Sequence, residues 1–183
     1  RAALAQGKGA LVFSAHYGHW EAGAYAMGLL GVPFAVIARP LDNPALDRRL
    51  TQLRSGTGNA VIQKRRAVRE TMRALARGAG VAILIDQDAG AEGVFVPYFG
   101  RLASTTPTLA LLALRTEAPI VPLHAKVETD GTITVRIEPV VEVPDERSEP
   151  FGLGAGGGQG TVDVMAIVIP GSLVCAGFGR HRG

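Results

Sequence analysis

"LVFSAHYGHWEAGAYAMG", Leu11 to Gly28, decides how the chain is read. A short apolar run of strand length gives way to His16, Gly18, His19, Trp20 and Glu21, and then an Ala-rich segment resumes and ends at a glycine. That grammar predicts a buried strand handing over to a helix. The same alternation continues outward. "FAVIAR" reads as a second strand, and "NPALDRRLTQLRSGTG" as a helix with Asn43 as N-cap and Pro44 at its first position. "AVIQ" is a brief strand, and "RRAVRETMRALARGAG" an amphipathic helix with Val68, Met72, Leu75 and Ala76 on one face. "VAILID" is a buried strand with Asp86 at its carboxyl end, and Thr106 and Pro107 introduce the helix "TPTLALLALRTEA". "PIVPLHAKVE" and "TITVRIEPVVEV", joined by the turn "TDG", form a hairpin. The expected fold is α/β, a mostly parallel sheet flanked by helices with an antiparallel hairpin near the end. Ligands of such sheets bind beyond the carboxyl ends of the strands, the edge where His16 and Asp86 both fall.

The 183 residues suffice for one domain with a real core. We divide the chain into a folded unit over 1–149 and a Gly-rich segment over 150–183, which lacks helical periodicity and is expected to be poorly ordered. Cys175 is the only cysteine, so no internal disulfide framework exists, and a reducing compartment suits the chain. No signal peptide is visible. The longest apolar stretch, "VMAIVIPGSLVCAGFG", falls short of the roughly 20 residues that span a bilayer and is broken by Pro170 and Gly171. The chain opens on Arg1 rather than Met, and an upstream segment is expected.

Charge is uneven. Residues 1–80 hold twelve Lys and Arg against four Asp and Glu, while the remainder holds seven against twelve. A basic first half calls for an anionic partner: phosphates, a membrane surface or an acidic carrier protein. Nucleic acid is not expected, because the basic helix lacks interleaved aromatics and no binding motif is present.

His16 and Glu21 lie five residues apart, an offset that separates them on a regular helix. With His16 in the strand-to-helix turn and Gly18 allowing a bend, Glu21 can fold back toward the imidazole. A carboxylate on one ring nitrogen fixes the tautomer and leaves the other as a base, apparatus for deprotonating a hydroxyl. No G-x-S-x-G is present, so that hydroxyl is assigned to the substrate. A hydrogen-bonded structural histidine at a strand end is the bland alternative.

"AHYGHWE" resembles the H-x-x-x-x-D/E signature of glycerolipid and lysophospholipid acyltransferases, and is most similar to the "HxGNWE" version in the bacterial lipid A biosynthesis lauroyl/myristoyl acyltransferases. "ARPLDNPALDRRLTQLRSGTG", "ILIDQDAGAEGVFVPYFGRLASTTP" and "LALRTEAPIVP" extend the resemblance, in order, over roughly residues 8–145. The resemblance implies a glycerolipid acyltransferase-like fold and an enzyme, an O-acyltransferase of lipid A or lipopolysaccharide biosynthesis needing no cofactor. It implies His16 as general base and Glu21 as its orienting partner. Arg54 would bind an anionic part of the substrate, and Asp86 and Gln87 would shape the acceptor pocket. Arg39 would meet a phosphate or form a salt bridge to Asp42 or Asp47. Tyr98, Phe99 and Gly100 would pack beside the acyl channel.

The implied partners are an acyl carrier protein thioester as donor, an anionic lipid acceptor and a membrane surface, at the cytoplasmic face of the bacterial inner membrane. Two departures stand out: the family's N-terminal membrane helix would precede this chain, and its arginine-rich, Trp-containing end is not matched by the Gly-rich segment. Backbone N–H groups at the start of the helix after His16 are one candidate for oxyanion stabilisation. Alternatives are a phosphatidylinositol mannoside or lysophospholipid acyltransferase, an inactive lipid-binding fragment, and a metal-dependent hydrolase using His16, His19 and Glu21.

Overall fold

The computed structural model describes residues 1–141, together with the backbone of two short strands at 166–169 and 172–175. The expectation of poor order beyond Glu149 lies, apart from those two strands, outside the described residues. The elements run β1 (Ala10–Ser14), α1 (Trp20–Leu29), β2 (Phe34–Ala38), α2 (Pro44–Ser55), β3 (Ala60–Gln63), α3 (Ala67–Ala76) and β4 (Gly80–Leu84). They continue with β5 (Val94–Tyr98), β6 (Arg101–Thr105), α4 (Thr108–Thr116), β7 (Ile120–Val127), β8 (Ile133–Ile137), β9 (Ala166–Ile169) and β10 (Ser172–Cys175).

Six strands form one sheet in the order β3-β2-β4-β1-β7-β8. The first five are parallel, and β8 returns antiparallel to β7. This is the predicted α/β architecture with its late hairpin. β1 lies central and its apolar residues alternate between two faces. Leu11 and Phe13 join α3 and α4 through Leu75, Leu109 and Leu112, while Val12 packs with Met27 of α1, Val32 and Phe34. Burial on both faces is why β1 reads as a continuous apolar run rather than an alternating one.

The caps follow the sequence closely. Asn43 Oδ1 accepts from the amides of Ala45 and Leu46, and Pro44 occupies the first turn of α2. Asn59, buried, ties three elements together. Its Oδ1 accepts from Phe34 N at 2.8 Å, and its Nδ2 donates to Ala24 O at 3.0 Å and to Thr57 Oγ1 at 3.3 Å. Asn59→Leu would leave these partners dry and unpaired, and we expect a loss of about 2–4 kcal/mol in urea unfolding.

Two expectations need correction. The buried face of α3 is Thr71, Ala74 and Leu75 with Met72 at its flank, whereas Val68 and Ala76 are exposed. The helix begins after a turn of 3-10 helix at Lys64–Arg66, which rotates the face relative to one continuous helix. The hairpin β5–β6 has no counterpart in the sequence reading: Pro97 and a run without clear alternation hide it. Among the described residues no helix is long and apolar enough to cross a membrane.

Candidate active site

Parallel pairing of β1 with β4 puts Ser14 opposite Leu84. Two residues on, the same register brings His16 and Asp86 together at the carboxyl edge of the sheet. Asp86 grips His16 twice: Oδ2 accepts from the His16 backbone N at 2.7 Å, and Oδ1 lies 2.8 Å from ring Nδ1. An ionised carboxylate only accepts, so the Nδ1 bond requires the ring proton to sit there. Among the described residues nothing bonds to Nε2, and the ring is partly open to solvent.

Gly18 makes this turn possible, as its place in the sequence suggested. Its φ is +64°, and a Cβ there would collide with the Ala125 carbonyl oxygen. The chain crosses β7 so closely that His19 N donates to Ala125 O at 2.8 Å. Gly18→Ala should cost about 2–4 kcal/mol through the positive φ and the backbone clash, read as a lowered melting temperature with loss of the His16 geometry.

The carboxylate on the His16 ring is therefore that of Asp86, not that of Glu21 as the sequence spacing suggested. Glu21 already belongs to α1, which carries it away from the turn toward α2. There both Glu21 oxygens accept from Arg54 Nε at 3.1 Å, and Oε1 also accepts from Arg54 Nη2. The pair is mostly shielded, with side chains 16% and 30% exposed for Arg54 and Glu21. It is not remote from the histidine. The Arg54 guanidinium lies 5.9 Å from the Trp20 ring centroid, and Trp20 meets the His16 ring edge-to-face at 5.5 Å. One chain of contacts thus runs Glu21–Arg54–Trp20–His16–Asp86. Arg54 directs Nε and Nη2 to Glu21, and with Arg39 it also lines a small cleft beside α2.

A cavity of about 680 Å³ opens beside Asp86, lined among others by Ala15, Gln87, Phe95, Tyr98, Leu102 and Ser104. The excursion from β4 into β5–β6 builds its wall. Asp88 Oδ1 caps this loop by accepting from Gly90 N, and Ser104 Oγ donates to Gly90 O. Gln87 and Tyr98 both line this cavity, whereas Phe99 is 80% exposed and meets Tyr98 edge-to-face. Arg39 is exposed, 3.6 Å from Asp42, while Asp47 accepts from Leu41 N. His19 Nδ1 accepts from Ala22 N and caps α1, so His16 and His19 are not neighbours on a helix. Among the described residues no three His, Cys, Asp or Glu side chains converge as metal ligation would need.

The histidine turn, its carboxylate and the adjoining cavity are contained in the part of the chain that matches known proteins. Residues 1–150 match the family model described as bacterial lipid A biosynthesis acyltransferase. The chain is similar to a phosphatidylinositol mannoside acyltransferase of Mycolicibacterium smegmatis, 30% identical over 134 residues, covering 70% of this chain and 44% of the relative. It is also similar to a lipid A biosynthesis acyltransferase of Haemophilus influenzae, 25% identical over 149 residues, covering 80% and 47%. The chain spans about half the length of these curated relatives. With most of its length matched and a histidine held at the carboxyl edge of a parallel sheet, the chain belongs to the bacterial lipid A biosynthesis acyltransferase family.

Proposed function

We propose that the protein is an O-acyltransferase that moves a fatty acyl group from an acyl carrier protein thioester to a hydroxyl of an anionic glycolipid, such as a lipid A precursor. The observation that carries this reading is His16 held through Nδ1 by Asp86, a residue that itself lines the adjoining cavity, with the ring partly open to solvent. His16 Nε2 takes the hydroxyl proton as the oxygen attacks the thioester carbonyl. The tetrahedral intermediate collapses with cleavage of the C–S bond, and the imidazolium returns the proton to the departing thiolate. Asp86 fixes the tautomer and stabilises the imidazolium while it exists. No covalent acyl-enzyme is needed.

Glu21 and Arg54 are positioning residues here. A guanidinium locked by a bidentate carboxylate holds Trp20, and Trp20 braces the His16 ring. Gln87 and Tyr98 contribute to the acceptor or acyl pocket. For the oxyanion, His19 N is consumed by Ala125 O and Ala22 N by His19 Nδ1, which leaves the amides of Trp20 and Glu21 in the first turn of α1 as candidates. A cytoplasmic, inner-membrane setting suits both substrates.

A phosphatidylinositol mannoside is the second acceptor class, favoured by the likeness to the mycobacterial enzyme. The test incubates the purified chain with acyl carrier protein thioester and either acceptor. Transfer that disappears with His16→Ala in a folded variant supports the reading. Transfer that persists at the wild-type rate contradicts it.

A further inference from the structure

Helix α3 keeps like charges together at a cost. Arg66, Arg69, Arg73 and Arg77 follow one another at three- and four-residue spacings, which sets them in one row along the helix, and all four are exposed. Like charges so spaced destabilise a helix, whereas a face that meets only water gains by alternating them with acids. Glu70, half-buried, is the one acid in α3. Among the described residues neither it nor any of these arginines has an ion pair. The turn that leads into the helix, Lys64–Arg66, is wholly cationic and sits at the end where the macrodipole disfavours positive charge.

Beside this row runs an apolar one. Val68, Met72 and Ala76 recur every fourth residue, on the face their spacing assigned to the core. Instead Val68 is 50% exposed, Ala76 is exposed, and Met72 reaches the core only in part. Helix α4, packed beside α3, adds exposed Leu111 and Arg115. The outer surface of this layer is thus apolar and cationic at once.

Its place in the fold connects it to the site. α3 covers the sheet face that holds Leu11, Phe13 and Ile85, and Ile85 also lines the cavity beside Asp86. β3 ends at Gln63, so α3 starts at the edge where His16 stands and runs down the flank away from it. From Lys64 to Arg77 the row extends about 20 Å, the length of a partner helix of three to four turns.

We propose that α3 docks an acidic amphipathic helix of the acyl carrier protein, whose carboxylates meet Arg66, Arg69, Arg73 and Arg77 and whose apolar side meets Val68 and Ala76. A row of cations running down the flank, with an apolar row beside it, matches a helix laid along α3. A carrier bound there has one end at the edge where the cavity lies, which is where its thioester is needed. The identity of the carrier rests on the acyltransferase reading; the docking is measured without turnover.

Fluorescence anisotropy of labelled holo-acyl carrier protein, titrated with the whole chain, provides the test, since a carrier without an acyl group allows no transfer. Binding should weaken as salt rises. Arg69→Gln combined with Arg73→Gln should weaken it about tenfold, and Val68→Ser about threefold. The double arginine variant should melt no lower than wild type, because it relieves like-charge repulsion, so lost binding is not lost fold. The same variant should raise KM for the acyl carrier thioester by a similar factor and leave kcat/KM for a small acyl-pantetheine thioester unchanged. A wild-type chain that ignores the carrier, a double variant that binds it undiminished, or variants that lose affinity only for phosphatidylglycerol vesicles would each overturn the proposal. Carrier binding that needs the arginines, in a chain that transfers nothing, would support the docking and contradict the catalytic reading.

Discussion

Asp86→Asn is expected to lower kcat roughly 10³–10⁴-fold with little change in KM or melting temperature. The amide can still accept from the His16 backbone N, so the turn survives. It can also offer an N–H toward ring Nδ1, which favours moving the imidazole proton to Nε2. The base is then capped at the atom that must accept the hydroxyl proton. Steady-state acyl transfer with thermal melts on the same samples checks this. His16→Ala should lose at least as much, and the double variant should be no worse than His16→Ala, because the two groups act as one device.

The second large effect concerns the pair that sits behind the histidine. Glu21→Gln leaves a mostly shielded Arg54 without its counter-charge, and we expect about 2 kcal/mol of lost stability together with a 10–100-fold fall in kcat. KM should move little, since the pair acts on the base through Trp20 rather than on bound lipid. Arg54→Lys should not rescue, because a point-charge ammonium cannot reproduce the two-oxygen grip or lie flat over the indole. A double-mutant cycle for Glu21 and Arg54 should return a coupling of about 1–3 kcal/mol in stability. A proportional loss in KM instead of kcat would place Arg54 on the substrate.

Much of this architecture is legible in the sequence because local signals agree. Asn43 and Pro44 announce α2, the apolar runs announce the parallel strands, and "TDG" announces the β7–β8 turn. His16 and Asp86 could be assigned to one edge by that logic alone. Their partnership could not, because it depends on β4 inserting next to β1, ahead of β2, and strand order is a property of the whole sheet. Five residues of separation made Glu21 the nearer carboxylate along the chain, yet one turn of helix removes it from the ring. Arg54 was singled out in the sequence as an anion binder, and among the described residues its guanidinium meets the Glu21 carboxylate, a pairing no local signal announces. Hairpin β5–β6 escaped because Phe99-Gly100 is a poor written signal for the turn it makes, both residues standing at positive φ.

The decisive measurement is the protonation pattern of the His16 imidazole, from ¹⁵N shifts of labelled protein near neutral pH. The account predicts the ring proton that meets Asp86 on Nδ1, displaced in Asp86→Asn and retained in Glu21→Gln. A proton on Nε2 in wild type, or a pattern that responds to Glu21→Gln and ignores Asp86→Asn, would contradict it.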